Sequence, residues 1–216
     1  MENYELTQEI KAYFIDFDRT LVDSVGIERK ALTATLKALG VYQQGMEVEH
    51  QNSFKDMIKN LNSEYGLNLD FDTVDKEFVR QALPLYENDC ELKGGAYEFW
   101  LWARQNHKRI YVITLNEMQF VQAVLKRYGL VADGIYTRRD TGIHKRDGAL
   151  FLYAFSDTGY EPSECAVIED YPYYIVTIKD SGCKIIGMFD GQPEDEINLL
   201  YDISDIFIKD FRELIV

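Results

Sequence analysis

The sequence predicts an α/β protein with a mainly parallel sheet, interrupted by an inserted all-helical domain. Three observations carry this. Short apolar runs recur at residues 12–15, 109–114, 165–168 and 184–188, and each is separated from the next by segments of helical period. Strands joined through helices run parallel, with both faces of the sheet covered. Between Asp23 and about Asn88 only helical periodicity occurs, which marks that stretch as an insertion.

The first run, Ala12 to Ile15, reads as a buried strand ending in two carboxylates, Asp16 and Asp18. Ser24 is a candidate cap for a helix reaching Leu39, with Ile27, Ala31, Leu32, Thr35 and Leu36 at helical spacing and Gly40 as its stop. Residues 47–65 form a second helix, with Phe54, Met57, Ile58, Leu61 and Tyr65 on one face. A third follows from Asp72, its candidate cap, through Val74, Phe78, Ala82, Leu85 and Tyr86. After Gly94 and Gly95, a helix carries Ala96, Phe99, Trp100 and Ala103 on its apolar side.

The strand Arg109 to Thr114 ends in a hydroxyl, and the helix Glu117 to Tyr128 closes at Gly129. A brief strand, Gly134 to Thr137, precedes a helix predicted from Lys145 to Phe155. Cys165 to Ile168 is a strand ending in Glu169 and Asp170. Pro172 then starts a helix that stops at Gly182. Lys184 to Met188 and Ile206 to Ile208 complete a three-layer, Rossmann-like core. The resulting division is a core of residues 1–22 and 89–216 and a helical domain of residues 23–88.

Composition narrows the function. The 216 residues carry a formal net charge of −14, which opposes approach to nucleic acid or an anionic membrane surface. No apolar stretch is long enough to span a membrane, and the acidic start lacks a signal-peptide core, so the expected location is cytoplasmic. Cys90, Cys165 and Cys183 show no C-x-x-C pairing and read as free buried thiols. His50, His107 and His144 have no ligand spacing, and Trp100 and Trp102 read as packing residues.

In a parallel sheet the strand ends meet at one edge, where ligands bind. Asp16, Asp18, Thr114 and Asp170 therefore converge there, joined by Lys145 from a loop. Carboxylates crowded in this way repel one another unless a cation sits among them, and Mg²⁺ suits a set of oxygen ligands.

These residues resemble the motifs of the haloacid dehalogenase superfamily, in the subgroup whose helical cap follows the first motif. D-F-D-R-T at 16–20 resembles the first motif, V-I-T at 112–114 the second, Lys145 the third and V-I-E-D at 167–170 the fourth. The resemblance implies a Mg²⁺-dependent phosphatase acting on a small phosphorylated metabolite, with the cap closing over the site. It implies Asp16 as nucleophile and Asp18 as acid and base, with Thr114 and Lys145 holding the phosphoryl oxygens. Mg²⁺ would rest on Asp16, the carbonyl of Asp18, and Asp170, with Glu169 as a ligand or as the partner of one. Thr20 would orient the loop, and Thr20, Arg19 and Asn116 are candidate substrate contacts.

Departures from the family pattern are also visible. Arg19 stands where Gly is usual, so it either adopts strained backbone angles or marks a changed loop. Leu115 and Asn116 follow Thr114 where Asn is usual directly after it, and Lys145-Arg146-Asp147-Gly148 replaces Lys-Pro-x-Pro. Retention of Asp18 favours oxygen esters over carbon–halogen or carbon–phosphorus bonds. The alternatives are a sugar-phosphate mutase of the β-phosphoglucomutase type and a catalytically weak binding protein. Glu28 stands where that mutase has His, which favours the phosphatase.

Overall fold

The computed structural model describes residues 9–46 and 54–215. The chain divides into two compact units, Met1–Asp23 with Glu91–Val216 and Ser24–Cys90.

The first unit is built on a six-stranded sheet. In chain order its strands are β1 (Ala12–Ile15), β4 (Arg109–Thr114), β5 (Gly134–Thr137), β6 (Cys165–Glu169), β7 (Lys184–Met188) and β8 (Ile206–Ile208). A short antiparallel pair, β2 (Val22–Asp23) and β3 (Glu91–Leu92), stands apart from it. The spatial order is β5-β4-β1-β6-β7-β8, with every pairing parallel. All four residues of β1 are buried, as a central strand covered on both faces requires. Phe14 stacks on Tyr111 at 4.9 Å and meets Phe155 edge-on, while Tyr13 meets Phe99 edge-on at 5.0 Å.

Register decides where the polar residues fall. Ile15 pairs with Val112 on one side and Ile168 on the other, so Asp16, Thr114 and Glu169 emerge at the same end of three adjacent strands. The ladder extends one step further, because the Asp16 N–H donates to the Ile168 carbonyl at 2.9 Å.

The helices of this unit fall largely where the periodicity puts them. Among the described residues of the other unit come first α1 (Val25–Ala38), α2 (Phe54–Tyr65) and α3 (Phe71–Asn88). In the core unit, α4 (Ala96–Gln105) buries Ala96, Phe99, Trp100 and Ala103, and α5 (Met118–Tyr128) ends on Gly129 in the left-handed region. A four-residue helix, α6 (Arg138–Thr141), is capped by Thr137 and was not evident in the sequence. Lys145 does not open a helix. It precedes a tight 3₁₀ turn, Arg146–Gly148, in which Asp147 has φ 60° and Gly148 φ 70°, and α7 (Ala149–Thr158) starts only after that reversal. The helix expected from Pro172 to Gly182 is α8 (Pro172–Ile175), which tightens into 3₁₀ over Val176–Ser181. A further helix, α9 (Glu194–Ile203), lies in a stretch where no element was expected, and Phe211–Leu214 forms a 3₁₀ turn.

In the helical unit, Leu32, Leu36, Met57 and Leu61 form a core against which Phe54 and Phe78 pack. The part of the second expected helix at 47–53 lies outside the described residues, as does His50. Two caps differ from expectation. Asp70, not Asp72, caps α3 by accepting from the Thr73 N–H. Ser24 occupies the cap position of α1 in a helical conformation, so its hydroxyl cannot reach back to the first turn and makes no cap bond. Cys90, Cys165 and Cys183 are all buried, and none forms a disulfide. No helix among the described residues is long and apolar enough to cross a membrane.

Candidate active site

The site begins at the end of β1. Asp16 is buried, and its carboxylate accepts a hydrogen bond from the Lys145 ammonium. Lys145 also donates to Glu169 Oε2 at 2.7 Å. A lysine between Gly142 and Arg146 reads as part of a solvated face, yet Lys145 is only 1% exposed. The left-handed residues Asp147 and Gly148 turn the chain so sharply that the side chain points inward, where Phe151 and Tyr174 rings lie 5.5 and 5.8 Å from its nitrogen.

Burial alone would drive the Lys145 proton off. The charges of Asp16 and Glu169 and the hydrogen bonds to both outweigh that, and hold its pKa above the ordinary value. Burial pushes Asp16 upward, opposed by Lys145, the Phe17 N–H and the Thr20 hydroxyl. Glu169 is raised well above its usual range by burial and then by the charges of Asp16 and Asp170. Asp170 is pushed up to about 7 by burial and the Asp16 charge, with Arg19 opposing.

Asp16, Glu169 and Asp170 each offer a carboxylate oxygen, and these oxygens lie within 4.8 Å of one another. Three buried acids sharing so little space hold their protons too tightly because one ammonium does not neutralise them. A divalent cation among hard oxygen ligands relieves that excess, so the donor set fits one.

The remaining expected residues are distributed around this cluster. Thr20 is fully buried and donates to Asp170 Oδ1 at 2.9 Å, an arrangement that orients an acid and leaves no face for a substrate. Thr114 is buried at the end of β4, and its hydroxyl accepts from the Asn116 N–H at 3.1 Å. Asn116 donates its amide to Asp18 Oδ2 at 2.8 Å, which places it on the half-buried second acid. Arg19 has φ 64°, so of the two expectations for this position the strained backbone is the one adopted. Its Nε lies 2.6 Å from Asp190 Oδ2 and 3.7 Å from Asp170 Oδ2, so it is engaged with protein acids.

Two neighbours of the cluster escaped the sequence reading. Asp190 pairs with Arg19 and Lys93, and Gln192 donates to the Asp170 carbonyl at 2.9 Å. Both follow β7, and the strand-end rule that singled out Glu169 and Asp170 points to that loop as well.

Residues 10–182 match the model of a family described as haloacid dehalogenase-like hydrolase. The chain belongs to that family. As a haloacid dehalogenase-like hydrolase it is 24% identical over 181 residues to a Clostridium perfringens protein provisionally named pyrophosphatase PpaX, spanning 83% of this chain and 84% of that one. Its fold is shared with CbbY from Rhodobacter sphaeroides, solved with phosphate, at a TM-score of 0.78 and 20% identity over 95% of this chain and 96% of the other. A CbbY variant solved with xylulose-(1,5)bisphosphate gives a TM-score of 0.76 and 17% identity, covering 94% and 96%. A structure from Haemophilus somnus, described as a predicted phosphoglycolate phosphatase, also reaches 0.78, at 16% identity over 95% and 96%.

Proposed function

We propose that this hydrolase is a Mg²⁺-dependent phosphatase that cleaves small phosphorylated metabolites through a phosphorylated Asp16. The observation that carries the proposal is the meeting of Asp16, Lys145, Glu169 and Asp170 in one buried cluster at the carboxyl edge of the sheet. The similarity to a protein named as a pyrophosphatase, and the phosphate and sugar bisphosphate held by CbbY, support a phosphorylated substrate.

In this reading the Asp16 carboxylate, its charge offset in part by Lys145, attacks phosphorus as the bond to the ester oxygen breaks. Asp18, held by Asn116, gives its proton to the departing oxygen. It then takes a proton from the water that attacks the phosphoaspartate, which releases phosphate and restores Asp16. Lys145 and the Thr114 hydroxyl hold the phosphoryl oxygens where negative charge accumulates. Asp16, Asp170 and the Asp18 carbonyl would hold Mg²⁺, with Glu169 as a ligand or the partner of one, and the ion when bound would offset the charge of the phosphoryl group and of the acids. Thr20 orients Asp170, so its role is positioning. Substrate choice falls to the helical unit, Ser24–Cys90, acting as a cap.

The test is hydrolysis of para-nitrophenyl phosphate with and without Mg²⁺, by the native protein and by Asp16→Asn. Metal-dependent turnover absent from the variant is expected. Equal rates in the two proteins would remove the enzymatic reading.

A further inference from the structure

Asp190 is an acid buried beside the site without being part of the carboxylate cluster. Its side chain is 3% exposed and lies between two cations: Oδ2 takes Arg19 Nε at 2.6 Å and Oδ1 takes the Lys93 ammonium. Its own N–H donates to Gln192 Oε1 at 2.8 Å, and the Gln192 amide bonds the carbonyls of Asp170 and Met188, each at 2.9 Å. Asp190 is thus fixed at both its backbone and its side chain.

Arg19 stands between two acids that could both claim it. Its Nε is hydrogen-bonded to Asp190 but already lies 3.7 Å from Asp170 Oδ2, within ion-pair range. The backbone at Arg19 is held at φ 64°, which confines where the side chain can go. A guanidinium that paired fully with Asp170 would neutralise one of the three acids whose excess charge attracts a cation.

We propose that Asp190 is a positioning residue that withholds Arg19 from Asp170 and so keeps Asp170 available to the metal. Lys93 anchors the second oxygen of Asp190 and sets its orientation, while Gln192 ties the same loop to the Asp170 backbone. The arrangement answers a need created at position 19, where a guanidinium stands within ion-pair range of one of the clustered acids. It rests on the metal-binding role proposed above for Asp16, Glu169 and Asp170.

The proposal demands opposite responses from two neighbouring substitutions. Mg²⁺ affinity of the metal-free protein is measured by isothermal titration calorimetry, a readout independent of turnover. Asp190→Asn releases Arg19 onto Asp170 and is expected to weaken binding by about tenfold or more. Arg19→Gln removes the competing cation and is expected to bind at least as tightly as the native protein. In Asp190→Asn/Arg19→Gln no guanidinium remains to be withheld, so affinity returns to that of Arg19→Gln. A double variant as weak as Asp190→Asn alone overturns the proposal, because a structural defect at Asp190 would not be relieved by removing Arg19. If Asp190→Asn fails to fold, weaker binding by Arg19→Gln than by the native protein overturns it independently. Absence of Mg²⁺ binding by the native protein would remove the metal reading as well, whereas normal native binding with both single variants weakened removes this inference alone.

Discussion

Lys145 Nζ sits 2.7 Å from Glu169 Oε2 while also donating to Asp16, so one ammonium holds acids from two different strand ends. Both acids are buried, so little water is at hand to replace this cation. Removing one member of a buried ionic group strands the others, at a cost of about 3–5 kcal/mol. Lys145→Met keeps the volume and removes the charge. Its unfolding free energy in urea with chelator present is expected to fall by that amount. Turnover is expected to drop by about 10²- to 10³-fold, the usual effect of losing one group that stabilises developing negative charge.

The raised pKa of Asp170 fixes the sign of a pH effect in the metal-free protein. Below about pH 4 this acid is protonated whether the chain is folded or not. From there up to about 7 only the folded state keeps the proton, so stability falls as pH rises, by about 1.4 kcal/mol per unit for one such group. Glu169, also raised, acts in the same direction. His144, held below its usual value by burial and then by Arg138 and Arg146, opposes them near neutrality. A divalent ion binds the ionised acids. The rise in melting temperature produced by MgCl₂ is therefore expected to be larger at about pH 8 than at about pH 5, and an equal rise at both would contradict this account.

Asn116 provides a test of how Asp18 is held. Its amide donates to Asp18 Oδ2 at 2.8 Å, and a hydrogen bond to a charged group contributes about 1.5–3 kcal/mol. Asn116→Ala is expected to lower kcat by about 10- to 100-fold with KM little changed, since the bond orients an acid and not the substrate. Steady-state kinetics on an aryl phosphate distinguish this from a substrate contact, for which KM would rise instead.

The turn after Lys145 depends on Gly148. It has φ 70°, and an added Cβ would lie 2.6 Å from Ile178 Cγ2 and 3.1 Å from Thr177 Oγ1. Gly148→Ala combines backbone strain with overpacking and is expected to cost about 2–4 kcal/mol in urea unfolding. Because the same turn aims Lys145, activity should fall along with stability.

The fold was legible where burial is two-sided. β1, β4 and β6 are continuous apolar runs, which a covered parallel strand demands. The two-residue strands β2 and β3 are too short to leave a pattern. α9 begins after Pro193 without a side-chain cap, so its acidic first turn, Glu194, Asp195 and Glu196, is the start signal it carries. Within the site, Asp16 and Asp170 stood out because register brings strand ends together. The burial of Lys145 did not, since it depends on a left-handed turn at Asp147, which Asp tolerates better than most residues but which no local periodicity announces. The Arg19–Asp190 pair joins positions 171 residues apart, a separation over which local pattern carries no information.

The placement of β1 at the centre of the sheet also sets the order of events as the chain is made. This strand is synthesised before both of its neighbours, β4, roughly a hundred residues later, and β6, later still. At about 5–20 residues per second, four apolar residues wait several seconds for their first hydrogen-bonded partner and longer for their second. Until β4 is made A-Y-F-I has no partner on either side, the kind of segment that chaperones hold and that aggregates form on. The same strand that gathers the acids at one edge is therefore one that the nascent chain carries unpaired until its later neighbours are made.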